Sequence, residues 1–134
     1  MPEQVVSAEP LTGSWTAVPD AVAGLRQSVV EYARRVGASE PVLSSIKLAV
    51  SEAATNAVLH AYADDEEPGE VAVCAIRERD TLRVVVTDDG GGMVPRADSP
   101  GLGLGLPLIA QLVDSLEVDT REGGGTSLCM RFAI

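Results

Sequence analysis

Apolar side chains recur along the chain at two different spacings. Residues 19–36 and 39–61 repeat them every three or four positions, which is the period of an amphipathic helix. Residues 70–76 and 82–88 alternate apolar and polar side chains, which is typical of strands with one buried face, and the polar turn between them predicts a hairpin. The full set of predicted elements is a strand over 13–18, helices over 19–36 and 39–61, strands over 70–76 and 82–88, a helix over 104–116, and strands over 116–120 and 127–132.

Helices and strands that come in separate runs predict an α+β protein. We therefore expect a two-layer sandwich, with about three helices packed on one face of a mostly antiparallel mixed sheet. The length of 134 residues suits one domain, which we expect over 13–134 behind a flexible N-terminal tail over 1–12. Residues 90–101 hold several glycines and two prolines without a usable period, which predicts a loop.

The charge balance narrows the classes of partner. Lys and Arg number 10 against 20 Asp and Glu, so the formal net charge is −10, and the chain repels both phosphate backbones and anionic lipid. We expect no direct nucleic-acid partner and no membrane. The N-terminus lacks the basic start and apolar run of a signal peptide, which predicts a cytoplasmic protein. Cys74 and Cys129 lack metal-ligand spacing, which favours two buried free thiols over a disulfide or metal site.

Two polar residues interrupt the apolar pattern of the second predicted helix. Glu52 and Asn56 are four positions apart in the run SEAATNAVLHAY, so both lie on one face of the helix. A buried stripe is a poor place for such groups unless they have partners. The spacing alone leaves open whether this is a solvated outer face or part of a functional site. His60, one turn further along, is expected to cap or pack the helix end.

Three glycine-rich segments offer bare backbone to a ligand. Asp88 lies two and four positions after Val86 and Val84, so its carboxylate is expected on the same, buried face of the strand. Consecutive glycines begin two positions later. The run GLGLG over 101–105 opens a predicted helix, where backbone N–H groups favour an anion. A third run of glycines leads into Thr126. Each of these signals is weak alone, because glycines around helix caps and hairpins are ordinary.

Two common nucleotide-binding motifs are absent from the sequence. G-x-G-x-x-G would need glycine at Leu106 or Leu108, and a P-loop would need a lysine beside its glycines, whereas the only lysine is Lys47. An acidic chain without a phosphate-binding lysine must neutralise a polyphosphate through a divalent metal and backbone amides. A nucleotide site in this chain therefore requires Mg²⁺.

The order of the motifs carries more information than any one of them. E-x-x-x-N lies on a helix, D-x-G-x-G follows a strand, G-L-G-L-x-L opens a helix, and G-G-T comes near the C-terminus. This order resembles the GHKL ATPase superfamily, which includes gyrase-type topoisomerases, heat-shock chaperones, histidine kinases and mismatch-repair ATPases. The short length and the run around Glu52 look most like the anti-sigma-factor serine kinases of bacteria. The resemblance extends from about Trp15 to Phe132.

The resemblance implies a role for each motif residue. Glu52 would be the general base, Asn56 the Mg²⁺ ligand, and Asp88 the acceptor of the adenine amino group. Residues 93–100 would form a short lid. Pro107 departs from the family's bulkier residue, and we expect it in the first turn of its helix, where proline is tolerated. The other residues expected to bind ATP are Gly90 and Gly92 at the adenine, Gly101, Gly103, Leu104 and Gly105 at the phosphates, and Thr126 near the base.

The implied function is that of an ATP-dependent protein serine kinase and anti-sigma factor. Such a protein would phosphorylate a STAS-type anti-anti-sigma partner, sequester a sigma factor and form a homodimer. A noncatalytic ATP-binding module, whose lid controls partner binding, stays open as an alternative because it would share every nucleotide contact. A third possibility, the catalytic part of a histidine kinase, would come with a helical phosphoacceptor domain, for which we expect no room in this chain.

Overall fold

The chain forms three helices and five strands over the residues that the computed structural model describes, which are 9–62, 69–89, 102–121 and 124–134. The predicted loop over 90–101 lies outside them. The bounds of the elements are β1 Leu11–Thr16, α1 Asp20–Arg35, α2 Glu40–Tyr62, β2 Glu70–Glu78, β3 Thr81–Asp88, α3 Leu102–Leu112, β4 Ser115–Thr120 and β5 Thr126–Ala133.

The five strands form one sheet in the order β1-β2-β3-β5-β4. All four pairs of neighbouring strands are antiparallel, so over the described residues the sheet lacks the parallel pair that a mixed sheet requires. Strands β3 and β5 bury every second residue, as expected when helices cover one face and the other face stays open. The predicted two-layer α+β sandwich is confirmed.

The core lies between the helices and the covered face of the sheet. Helix α1 buries a stripe at helical spacing that includes Leu25 and Val29, and α2 packs against β2, β3 and β5. The buried positions of α2 include Ala49, Ala53 and Ala57, whose small side chains let the helix approach the sheet closely. Over Glu40–Leu59 this helix is also long and apolar enough to cross a membrane, but half of that segment is buried within the protein, as in a soluble core helix.

The C-terminal end of α1 is fixed to the β2–β3 hairpin. Gly37 has φ +104°, a conformation that glycine adopts without strain, and the helix ends there as predicted. The Tyr32 hydroxyl accepts a hydrogen bond from the backbone N–H of Arg77 at 3.2 Å. The Arg77 guanidinium donates in turn to the carbonyl of Val36. These contacts set the position of α1 on the sheet.

Several predicted boundaries are shifted, among them the end of β1, which lies at Thr16 and not at 18, and the start of α3, which lies at Leu102 and not at 104. Two further shifts change the description of the fold. Strand β1 starts at Leu11, so residues 11 and 12 belong to the sheet and not to the tail. Helix α3 ends at Leu112 and not at 116, because Asp114 already pairs with β5: its N–H donates to the carbonyl of Arg131 at 2.8 Å, and its carboxylate accepts from the N–H of Ala133 at 2.6 Å. Apolar residues continue from the helix into β4, so periodicity alone did not separate the two elements.

The two cysteines are free, as predicted, but they are not both buried. Cys74 is exposed and Cys129 is half-buried, and both lie on the open face of the sheet. Each is the register partner of Val85 in the strand between them. Two strand spacings put their Cα atoms about 10 Å apart, beyond the roughly 7 Å that a disulfide spans. Partial burial raises the pKa of the Cys129 thiol.

Candidate ATP-binding site

Three polar side chains are buried among the described residues, and all three were predicted as site residues. Asn56 and Asp88 are each 3% exposed, and Thr126 is 1% exposed. Burying a polar group costs free energy unless the group finds a partner, so such groups are uncommon in an apolar core without a reason. Their coincidence with three separate motifs marks a candidate functional site.

The sheet places two of these residues side by side. Asp88 is the last residue of β3 and Thr126 the first of β5, and the antiparallel register pairs them directly. Both belong to the buried positions of their strands, so both side chains lie on the face that the helices cover. Asn56 comes from α2, which packs over these two strands. The three side chains are therefore buried in the layer between the helices and the sheet.

Two of the buried polar groups have an atom without a hydrogen-bond partner in the described part of the chain. These atoms are Nδ2 of Asn56 and Oγ1 of Thr126. An unpaired buried donor or acceptor costs about 1–3 kcal/mol. A protein keeps such groups where a polar ligand binds them, and the arrangement therefore suits recognition of a polar ligand.

Glu52 lies at the rim of this site. It precedes Asn56 by one turn of α2 and is half-buried. Leu48 and Leu59 lie on the same side of the helix and are 46% and 51% exposed. Asn56 is buried, so the solvated-face interpretation does not apply to it. Helix α2 thus carries one polar group into the core and a carboxylate at the edge of the solvent-exposed surface.

The turn between β4 and β5 closes against the end of β3. Gly125 has φ +101°, and a Cβ atom built there would lie 2.1 Å from the carbonyl oxygen of Asp88. The Arg121 guanidinium donates a hydrogen bond to that same oxygen at 3.2 Å. A glycine is required at position 125 both by its backbone conformation and by this close approach. The G-G-T motif therefore brings Thr126 into register with Asp88.

Comparison with known proteins identifies the family. The model of the family described as the histidine kinase-like ATPase domain matches residues 15–132. The chain belongs to this family. The resemblance to GHKL ATPases that the motifs indicated is confirmed.

Relatives of this histidine kinase-like ATPase domain are named as kinases and anti-sigma factors. The chain is 36% identical over 123 residues to the serine-protein kinase RsbW of Bacillus pumilus, covering 80% of this chain and 76% of the relative. It is 34% identical over 122 residues to RsbW of Bacillus subtilis, with coverage of 80% and 76%. It is 29% identical over 117 residues to the anti-sigma F factor of Clostridium acetobutylicum, with coverage of 79% and 80%.

A solved structure has the same fold. The crystal structure of the RsbU and RsbW domains of a Mycobacterium tuberculosis protein superposes on this ATPase domain with a TM-score of 0.74 and 27% sequence identity. The match covers 94% of this chain and 32% of the longer chain. The present chain thus corresponds to about a third of that protein.

The remaining predicted residues fall on the glycine-rich segments. Gly90, Gly92, Gly101 and the expected lid over 93–100 lie outside the described residues, as does the side chain of His60. Helix α3 starts at Leu102, so Gly103, Leu104 and Gly105 belong to its first turn. Pro107 consequently lies in the second turn and not in the first, where it removes one backbone hydrogen bond of the helix.

Sequence reasoning missed two residues beside the site of this ATPase domain. Arg121 reaches the carbonyl of Asp88 from 33 positions away, and no motif signals that contact. Asp89 is exposed, and its Oδ1 accepts a hydrogen bond from the N–H of Glu70 at 2.8 Å. The only sign of this contact in the sequence is an aspartate directly after a strand, since aspartate side chains often accept hydrogen bonds from backbone N–H groups.

Replacing Gly125 by alanine is expected to destabilise the fold more than the same change at Gly37. Both glycines have φ near +100°, and this conformation should cost an alanine about 1–3 kcal/mol at either position. At Gly37 the nearest atom to the new Cβ is the movable Arg77 guanidinium nitrogen at 3.2 Å, whereas at Gly125 it is backbone. Overpacking should add about 1–3 kcal/mol for Gly125→Ala. Urea denaturation measures the two losses, and equal values would contradict the close approach to Asp88.

Proposed function

We propose that the protein is an ATP-dependent serine kinase and anti-sigma factor of the cytoplasm. It phosphorylates a STAS-type anti-anti-sigma protein and sequesters a sigma factor. The observation that carries the proposal is the burial of Asn56, Asp88 and Thr126 together, at motif positions of a histidine kinase-like ATPase domain. The relatives named as serine-protein kinases and anti-sigma factors support it.

The pair formed by Asp88 and Thr126 suits recognition of adenine. A buried carboxylate is a strong acceptor for the adenine amino group, and charge-assisted hydrogen bonds of this kind are stronger than neutral ones. The orphaned hydroxyl of Thr126, on the neighbouring strand, supplies a second polar contact near the base. Guanine carries an oxygen where adenine carries the amino group, so the carboxylate would repel it.

Asn56 suits a Mg²⁺ ion that also binds phosphate. Its carboxamide oxygen is a hard donor, and Mg²⁺ is usually held by one or two side chains together with substrate phosphates and water. Within the described ranges no cluster of three or more His, Cys, Asp or Glu side chains would hold a metal on its own. Asn56 would therefore hold the ion jointly with ATP. The bound ion would offset the charge of the phosphates, which this acidic chain repels.

Substitutions at Asp88 and Asn56 should weaken ATP binding in different ways. Asp88→Asn replaces the charged acceptor of the adenine amino group and should cost about 1–3 kcal/mol of binding free energy, with or without Mg²⁺. Asn56→Ala should weaken binding only when Mg²⁺ is present. Isothermal titration calorimetry of each variant with ATP, in Mg²⁺ and in EDTA, separates the two effects. Unchanged affinity of Asp88→Asn would remove Asp88 from the site, and the same result for Asn56→Ala in Mg²⁺ would remove the metal ligand.

We assign the role of general base to Glu52. The serine oxygen of the acceptor attacks the γ-phosphorus, the bond to the β-phosphate oxygen of ADP breaks, and the hydroxyl proton passes to the Glu52 carboxylate. Because Glu52 precedes the proposed metal ligand Asn56 by one helical turn, it would lie next to the transferred phosphoryl group. The exposed Leu48 and Leu59 provide apolar surface around Glu52, which suits a protein acceptor better than a small polar one.

Glu52→Ala should lose phosphoryl transfer by roughly 10²–10⁴-fold, the usual effect of removing a general base, while ATP affinity stays near that of the parent. Glu40→Ala, an exposed glutamate in the first turn of the same helix, is the matched control and should transfer normally. The assay incubates the protein with Mg-ATP and the STAS-type partner and weighs the partner by mass spectrometry.

Two results of this assay would contradict parts of the proposal, the first the role of Glu52 and the second the kinase activity. Transfer by Glu52→Ala at the parental rate would make the base assignment wrong. A parent protein that binds ATP and holds its partner in a nucleotide-dependent way, yet leaves the partner's mass unchanged, would favour the noncatalytic module instead.

The two edges of the sheet differ in a way that favours a homodimer through β1. Strand β1 pairs only with β2 in the described part of the chain, and its sequence LTGSWT carries no charge. Strand β4, at the opposite edge, carries the exposed Glu117 and Asp119. Charged edges resist pairing with a second sheet, and uncharged edges permit it. We infer that two copies pair through their β1 strands.

A lysine on β1 should weaken this dimer. Ser14→Lys places like charges close together across a β1–β1 pair, which is unfavourable in antiparallel sheets. Ser115→Lys makes the same chemical change on the exposed edge strand β4 and serves as control. Sedimentation velocity should show a shift towards monomer for Ser14→Lys alone. A monomeric parent, or a Ser14→Lys dimer as tight as the parent's, would contradict the pairing.

A further inference from the structure

The end of β3 is held from two sides directly at the adenine-binding candidate Asp88. On one side, the carboxylate of Asp89 accepts a hydrogen bond from the N–H of Glu70 at 2.8 Å. On the other side, the carbonyl oxygen of Asp88 accepts one from the Arg121 guanidinium at 3.2 Å. The two contacts fix the peptide unit that follows Asp88. This is also the point where β3 ends and the glycine-rich segment begins.

Arg121 is itself fixed by the turn that contains it. Its backbone N–H donates to the carbonyl of Gly125 at 2.8 Å, and its carbonyl accepts from the N–H of Gly124 at 3.1 Å. Gly125 in turn packs against the carbonyl of Asp88, where a Cβ would overlap it. The guanidinium therefore reaches Asp88 from a closed turn, and its contact with the carbonyl is part-buried.

We propose that Arg121 is a positioning residue for the nucleobase. By fixing the carbonyl of Asp88, it holds the strand end in the orientation from which the Asp88 carboxylate meets the adenine amino group. This role rests on the proposed function, in which Asp88 reads adenine. A contact that restricts an acceptor before the ligand arrives increases affinity because less conformational entropy is lost on binding. The same restriction strengthens the preference for adenine over guanine.

The test is a double-mutant cycle in nucleotide binding. Calorimetry gives the affinities for Mg-ATP and Mg-GTP of the parent, Arg121→Gln, Asp88→Asn and the double variant. Arg121→Gln should weaken Mg-ATP by about three- to tenfold, the range expected for one hydrogen bond, and should leave the weak Mg-GTP binding nearly unchanged. In the Asp88→Asn background the same substitution should have no further effect, because Arg121 acts only through Asp88.

Two further variants separate positioning from folding. Arg121→Lys keeps a cationic donor and should recover part of the lost affinity. Arg131→Gln removes an arginine that links β5 to β4 on the open face, where it pairs with Glu117 at 3.3 Å, and should bind Mg-ATP like the parent. Thermal melting without nucleotide checks that each variant is folded. If Arg121→Gln does not fold, the same cycle is run with Arg121→Lys.

The outcomes distinguish this inference from the proposed function. Parental affinity in Arg121→Gln, with weakened binding in Asp88→Asn, overturns the role of Arg121 and leaves the ATP site intact. An equal loss for ATP and GTP, or a loss that persists in the Asp88→Asn background, also overturns it and indicates that Arg121 contacts the phosphates. A parent protein that binds neither nucleotide overturns the proposed function and this inference together.

Discussion

The antiparallel register of β3 against β5 is the constraint on which the candidate site depends. A slip of one residue would turn either Asp88 or Thr126 to the open face of the sheet, together with the apolar residues of the same strand. The buried pair Val86 and Leu128 fixes the register one step further into the same two strands. Gly125 fixes it at the end of the strand, because no larger residue fits against the carbonyl of Asp88. The packing that forms the core therefore also assembles the polar site.

Helix α2 connects the buried pair Asp88 and Thr126 to the surface of the protein. Its alanines lie against the sheet, Asn56 lies among them, and Glu52 emerges one turn earlier at the rim. The axial separation between the candidate metal ligand and the candidate base is thus fixed by the rise of four helical residues, about 6 Å. Residues elsewhere in the chain can vary without changing that distance. This explains why a spacing of four in the sequence carries chemical information that composition does not.

The sequence predicted those parts of the structure that depend on local periodicity. The alternation in β3 placed Asp88 on the buried side, and helical spacing placed Glu52 and Asn56 on one face. Whether that face met solvent or the core was not decided by spacing, because burial depends on which elements pack against α2. The end of α3 was misplaced for a related reason, since apolar residues run on into β4. Arg121 gave no signal at all, because its partner is a backbone carbonyl that only the strand pairing brings near.

The charge of the chain bears on how the proposed site would bind a triphosphate. With a net charge of −10, the protein carries 10 basic side chains, of which one is lysine, against 20 acidic ones. Arg83 and Arg131 pair with Glu78 and Glu117 on the open face, and the guanidinium of Arg121 faces a carbonyl at the base end of the site. In the proposed site, affinity would come from buried polar contacts to the base, from the glycine-rich start of α3 and from Mg²⁺ at Asn56. Because the proposed metal contact and the proposed adenine contacts lie on different elements, recognition of adenine and activation of the phosphates would be separable properties of this site.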